Sequence, residues 1–195
     1  MEQGIMTMAP ERTQPQMDIL LTADEIRTRV RELAAEIDRD FADDTPVLIG
    51  TLKGSFIFVA DLCRAMTVPH HIDFLAIAAY GTGTAPTGAL KLLKDLTVNI
   101  TGRSVIIVED IIDTGTTLTH LRRLLLARQP RRLAAVTLLD KRLRPDPELP
   151  IDYVGFRVDG GFVVGYGLDL AERYRHLPYI GRINPTQAEE TEPSV

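Results

Sequence analysis

The sequence has one cysteine and no tryptophan. A single cysteine excludes an intrachain disulfide and a cysteine-rich zinc site, and it fits a reducing, cytoplasmic setting. Cys63, inside "SFIFVADLCRAM", reads as a small core hydrophobe rather than a nucleophile. Long apolar runs are missing as well. No stretch approaches the roughly 18 residues that span a bilayer, so no membrane segment is expected. Positive charge is in deficit: 22 Lys+Arg against 27 Asp+Glu leave a net charge of −5, which offers no global field for nucleic acid or an anionic membrane. His70, His71, His120 and His176 show no metal-ligand spacing with acids. Segment 1–16 carries Glu2 and Glu11 and resembles neither a signal nor a transit peptide, so it reads as a flexible extension, matched by a flexible tail at 185–195.

What remains between them, 17–184, has ordinary globular composition and enough length for one domain with a substantial core. Thr22 stands three residues before Glu25, a capping-box spacing, and apolar positions then recur at Ile26, Val30, Leu33 and Ile37, which predicts an amphipathic helix. "PVLIGTL" (46–52) reads as a strand broken by Lys53 and Gly54, and "SFIFVADLCRAM" as the helix that follows. "HIDFLAIAAY", "SVIIVED" and "RRLAAVTLLD" supply three more strands, with "LTHLRRLLLARQ" a helix before the last. Strands alternating with helices predict an α/β domain: a mainly parallel sheet with helices on both faces. Segment 81–101, rich in glycine and threonine, is long enough to be a mobile lid.

The stretch "VIIVEDIIDTGTTL" (105–118) sets carboxylates into an apolar, β-branched strand. A buried unpaired carboxylate costs several kcal/mol or takes up a proton, so Glu109 and Asp110 at a strand end call for a cation, a donor or solvent. In an open parallel sheet, ligands gather beyond the carboxyl ends of strands. The turn that follows, Asp113, Thr114, Gly115, Thr116 and Thr117, leads into a helix, and its amides and hydroxyls can encircle a phosphate. The alternative is a solvated acidic pair before an N-cap turn. Neither G-x-x-x-x-G-K-[ST] nor G-x-G-x-x-G after a strand is present, which removes the P-loop and dinucleotide-fold readings.

Apolar strand, two acids, two apolar residues and D-T-G-x-T together resemble the phosphoribosyl-pyrophosphate motif of type I phosphoribosyltransferases. The resemblance extends over 20–183 through "GTLKGSFIFVADL", "VTLLDKR" and "DYVGFRVDGGFVVGYGLDLAERYRHLPYIG", and points to the bacterial hypoxanthine-guanine type. It implies a parallel-sheet core under a small hood at about 151–180. The implied reaction is Mg²⁺-dependent transfer from phosphoribosyl pyrophosphate to a 6-oxopurine base.

By the same resemblance, Glu109 and Asp110 engage ribose hydroxyls and magnesium, and Asp169 lies near a second magnesium and the purine edge. Asp113 is the candidate proton acceptor at purine N7, within the 5′-phosphate loop that runs through Thr114, Gly115, Thr116 and Thr117. Lys53, Gly54 and Arg175 match pyrophosphate contacts, with a cis Leu52–Lys53 peptide implied. Lys141 matches a donor to the 6-oxo group, Phe162 a stacking ring, Val163 a backbone contact to the base, and Tyr80 a lid residue. Read without the resemblance, Lys53, Arg175 and Lys141 would be solvated charges, Phe162 core and Asp169 a helix cap.

Two positions depart from the family pattern. Ala79 replaces a serine ahead of Tyr80, and Gly160-Gly161 replaces a charged residue ahead of Phe162, where it is expected to loosen the hood. Alternatives of another kind are a xanthine-preferring relative, and a non-enzymatic phosphoribosyl-pyrophosphate sensor that binds nucleic acid. The sensor would need a basic face, and the nearest basic cluster, "RRLLLARQPRR" (122–132), reads as a solvated helix face. A homo-oligomer, dimer or tetramer, is expected from the family.

Overall fold

The computed structural model describes residues 17–79, 90–142, 144 and 146–184. The expected terminal extension and tail, Tyr80 and the 81–89 part of the lid segment lie outside them. The elements are β1 (Asp18–Leu21), α1 (Ala23–Asp40), β2 (Val47–Leu52), α2 (Phe56–Ala65), β3 (His71–Ala79) and β4 (Leu90–Lys94), then β5 (Ser104–Ile112), α3 (Thr116–Leu126), β6 (Arg132–Asp140), β7 (Tyr153–Arg157), β8 (Phe162–Val164) and β9 (Ile180–Ile183). The main sheet has the order β4-β3-β2-β5-β6-β7. Every pairing in it is parallel except that of β4, which lies antiparallel on β3. The predicted parallel α/β sheet is therefore present. Among the described residues no helix is long and apolar enough to cross a membrane.

The two faces of the sheet follow from side-chain alternation. Ile106 and Val108 of β5 pack with α1 and α2, whereas Val105 and Ile107 pack with α3. A strand buried on both faces reads as a continuous apolar run, which is what "SVIIV" is. α1 begins at the expected capping box, with Thr22 and Glu25 bonding each other's backbone N–H. Its Ile26, Val30, Leu33 and Ile37 are all buried. Cys63 is half-buried against the same core.

Two boundaries differ from the sequence reading. β5 does not end at its acids but runs on to Ile112, because Ile111 and Ile112 are β-branched and pair with Leu139 and Asp140 of β6. Within the 151–180 segment assigned to the hood, Tyr153–Arg157 instead forms β7 at the edge of the main sheet. The small sheet is β1-β9-β8, drawing its first strand from near the N-terminus. Gly161 enters β8 at φ 85°, with Arg182 packed where a β-carbon would go. Arg182 also donates to the Asp159 carboxylate at 2.8 Å, which pins this turn.

The return from β4 is anchored by Asp73, a buried carboxylate on β3. It accepts from the backbone N–H of Phe74, Thr97 and Val98 and from the Lys94 ammonium. Burial works to raise its pKa, but these donors outweigh burial and bring it down to about 2. A depressed carboxylate contributes stability above its unfolded value and loses it as pH falls through the folded one. Asp73→Asn should therefore lower unfolding stability near neutral pH by about 1 to 3 kcal/mol. In denaturant titrations the gap from the parent should close as pH falls from about 4 toward about 2; a gap that stays constant over that range would contradict the assignment.

Candidate active site

The sheet carries its chemistry at the carboxyl ends of β2, β5 and β6. Glu109 is almost wholly buried, and its one described side-chain partner is the Thr51 hydroxyl, which donates to Oε1 at 2.9 Å. Burial, reinforced by the neighbouring Asp110 charge, raises its pKa to about 8, with the Thr51 bond acting in the other direction. Asp110 is raised to about 6, again chiefly by burial, opposed by the backbone N–H groups of Ile111 and Asp110 and by the Arg175 charge, with Asp169 adding to the rise. The acids that the sequence placed at a strand end are thus electrostatically undercompensated.

Gly54 shows why a glycine follows Lys53. A β-carbon on residue 54 would sit 1.8 Å from Asp110 Oδ2, so only a bare backbone can lie against that carboxylate. The Leu52–Lys53 peptide is cis, as the resemblance implied. Gly167 (φ 101°) closes over the same point, since a β-carbon there would come within 2.1 Å of the Gly54 carbonyl oxygen. The chain around it holds Tyr166, Ala171, Glu172 and Tyr174 at positive φ, backbone that costs about 1 kcal/mol or more per residue and persists where the surroundings fix it. Arg175 reaches back from this segment to the Gly167 carbonyl at 2.8 Å and to Asp169 at 2.9 Å. Glu172 binds Lys53 at 2.8 Å and Arg175 at 3.4 Å. Lys53, Gly54, Asp110, Asp169 and Arg175 therefore converge, although the first two lie more than a hundred residues from the last.

The turn after β5 has the form expected of a phosphate cradle. Gly115 adopts φ 84° as the residue before α3 and provides no side-chain cap, so the first-turn amides are not capped by it. The Thr114 and Thr116 hydroxyls lie 3.0 Å apart beside it. Lys141 and Asp113 face each other across the ends of β6 and β5, 3.4 Å apart, the lysine mostly enclosed and the aspartate exposed. The position of Lys141 is fixed by its backbone N–H bond to Ile112 and by Asp140, which is buried between Arg142 (2.9 Å) and Arg157 (3.0 Å). Phe162 and Val163 stand apart on β8: the ring is 38% exposed, available for stacking, and Val163 is buried in the core.

Among the described residues, no three His, Cys, Asp or Glu side chains converge as a ready metal cage, so Glu109, Asp110 and Asp169 do not form one by themselves. Thr51, Glu172 and Gly167 were missed by sequence reasoning. Thr51 sits one residue before the expected Leu52–Lys53 turn, but its bond to a residue 58 positions away leaves no local signal.

The raised carboxylates make a prediction with a definite sign. Both folded pKa values exceed the unfolded ones, so their contribution is fullest below about pH 4 and is lost as pH rises through about 6 and about 8. In thermal unfolding without ligand, the parent should lose several degrees relative to Glu109→Gln between about pH 5 and about pH 9. Parallel curves would contradict the buried, undercompensated state of Glu109.

This geometry has known relatives. Residues 16–171 match the phosphoribosyl transferase domain family. The chain is 47% identical over 169 residues to the hypoxanthine phosphoribosyltransferase of Salmonella typhimurium, covering 86% of this chain and 95% of that protein. It is 44% identical over 167 residues to the hypoxanthine-guanine phosphoribosyltransferase of Bacillus subtilis, covering 86% and 93%. A crystal structure of a hypoxanthine-guanine phosphoribosyltransferase from Bacillus anthracis, with HEPES in its active site, superposes with a TM-score of 0.82 at 46% identity, covering 88% of this chain and all of that one. On the family match over most of its length and on these identities, the chain belongs to the phosphoribosyl transferase domain family, among the hypoxanthine phosphoribosyltransferases.

Proposed function

We propose that the protein is a purine-salvage transferase that moves the 5-phosphoribosyl group from phosphoribosyl pyrophosphate to N9 of hypoxanthine or guanine, giving IMP or GMP and pyrophosphate. The observation that carries this reading is the Glu109–Asp110 pair, with Glu109 buried, Asp110 pressed against Gly54, and the Asp113–Gly115 turn following it. Such a pair suits a ligand that brings its own cations and hydroxyl donors.

Magnesium fits the donor set: hard carboxylate oxygens, too few for a complete protein cage, with raised pKa values that a cation would relieve. Glu109, Asp110 and Asp169 would hold it together with substrate oxygens, and its chemistry there is to neutralise the departing pyrophosphate. The remaining work falls to the chain. The amides of the 113–117 turn hold the 5′-phosphate, while the Gly54 backbone, Lys53 and Arg175 receive pyrophosphate, Glu172 yielding its two cations to it. Lys141 donates to the 6-oxo group, Phe162 stacks on the base, and the Val163 backbone reads its edge. As N9 bonds to C1′ and the C1′–O bond to pyrophosphate breaks, the N7 proton passes to Asp113. Because Lys141 lies beside Asp113, one ion pair orients both the reader of the 6-position and the proton acceptor. A reducing cytoplasm and assembly as a dimer or tetramer belong to the same proposal, and sedimentation velocity tests the assembly.

With Mg²⁺, phosphoribosyl pyrophosphate and hypoxanthine, the purified protein should form IMP and release pyrophosphate. Adenine should react poorly, because its 6-amino group would meet the lysine donor with another donor, a mismatch of about 1 to 3 kcal/mol or more. Asp113→Asn should lower turnover roughly 10² to 10⁴-fold with little effect on phosphoribosyl-pyrophosphate binding. Lys141→Ala should act on KM for the purine and erode the preference for 6-oxo bases. If the protein binds phosphoribosyl pyrophosphate yet turns over none of hypoxanthine, guanine and xanthine, the transferase reading fails and a sensor takes its place.

A further inference from the structure

Behind the pyrophosphate loop lies a cavity of about 740 Å³ that none of the residues assigned to the transfer reaction lines. It is the groove between α1 and α2, closed at one end by Tyr166 and the 176–178 loop. Its volume falls within the roughly 300 to 1,000 Å³ of small-molecule sites. The floor is apolar, with Val30 from α1, Ile57 and Ala65 from α2, and Leu177 from the loop.

The rim is cationic. Arg27 and Arg31, one helical turn apart on α1, face Arg64 of α2, and the His176 ring adds a polar group. Like charges at i and i+4 repel weakly, so an anion lying between Arg27, Arg31 and Arg64 would be favoured. Only one carboxylate, Asp61, lines the cavity, and it is already engaged by Arg64 and by the Tyr166 hydroxyl, which donates at 2.6 Å. Arg27 has Asp24 on its own helix, an exposed pair of little strength. Arg31 makes no hydrogen bond or ion pair among the described residues. An apolar floor under an under-neutralised arginine rim is complementary to a molecule with a flat ring and a phosphate.

We propose that this groove is a second binding site, for a soluble phosphate ester of mononucleotide size, with its ring on the floor of Val30, Ile57 and Leu177 and its phosphate between Arg31 and Arg64. The site adjoins the catalytic machinery. Tyr166, its end wall, is followed by Gly167, which packs on the Gly54 carbonyl, and α2 is the helix that Gly54 leads into. Arg175 bonds the Gly167 carbonyl from the other side. A ligand that draws Arg64 away from Asp61 therefore acts on the chain segment that positions the pyrophosphate contacts.

Equilibrium binding of ADP to the full-length protein, with the active site first saturated by IMP, tests this. One ADP should bind per chain in the presence of IMP, more weakly as salt rises. Arg31→Glu, which breaks no described contact, should weaken that binding by about tenfold or more while leaving IMP affinity unchanged. Failure of ADP to bind the IMP-loaded protein, or equal ADP affinity in Arg31→Glu, overturns the proposal. So does an oligomer that excludes ADP and comes apart in Arg31→Glu, since the groove would then be a contact between copies. IMP binding is measured separately, so a failure of the transferase reading shows there, and the comparison of parent with Arg31→Glu still decides the second site.

Discussion

Two carboxylates adjacent in one strand, Glu109 buried and Asp110 partly buried, are the constraint around which this molecule is arranged. Burial raises both pKa values, the Asp110 charge adding to the rise at Glu109, and the described surroundings answer with a threonine hydroxyl for Glu109 and with backbone N–H donors and the Arg175 charge for Asp110. A folded protein keeps such a pair when a ligand makes up the deficit. Gly54 has no side chain because Asp110 occupies its place, Gly167 has none because Gly54 does, and the strained 166–174 segment exists to bring Asp169 and Arg175 to the same point. Each of these features is costly alone and intelligible together.

The sheet supplies the rigidity that this arrangement needs. β5 lies between β2 and β6 and is packed on both faces; its pairing with β2 ends at Val108, and beside the acids the ladder continues with β6, Glu109 standing opposite Thr137. Phe162, Asp169 and Arg175 belong to the smaller β1-β9-β8 sheet and the loop that follows β8, joined to the core through Val163, Tyr166 and Ile180. Buried polar contacts steady both places: Thr51 donates directly to the Glu109 carboxylate, and Asp140, the residue before Lys141, is held between Arg142 and Arg157.

Features with a local physical signature were legible in the sequence. A glycine between threonines before a helix and a capping box announce themselves within a few residues and are where the reading put them, and the acids in an apolar, β-branched strand were equally visible, although β5 runs two residues beyond them. Contacts between distant segments were not legible. Nothing near Glu172 indicates that it bridges Lys53 and Arg175, and nothing near Thr51 indicates its carboxylate partner. β1, four residues long, is too short for alternation to mark it, and its partner β9 lies at the other end of the domain. "DYVGFRV" was placed in the hood by the resemblance, which set the hood at about 151–180. Parallel pairing with β6, which a single strand cannot reveal, puts it in the main sheet. The roles of Lys141, Phe162 and Arg175 came from resemblance, since a lysine after a strand or an arginine in a polar loop has no chemistry of its own to declare.

The central proposal is that Glu109, its pKa raised by burial, is held protonated near neutral pH and would give up that proton to a cation-bearing ligand. Calorimetry of magnesium-saturated phosphoribosyl pyrophosphate binding, at about pH 7 in buffers of different ionisation enthalpy, counts the protons exchanged. With its pKa raised to about 8, Glu109 must give up its proton to take a cation, so the parent should release more protons than Glu109→Gln, the difference approaching one per site. Equal proton counts for the two proteins would contradict the claim.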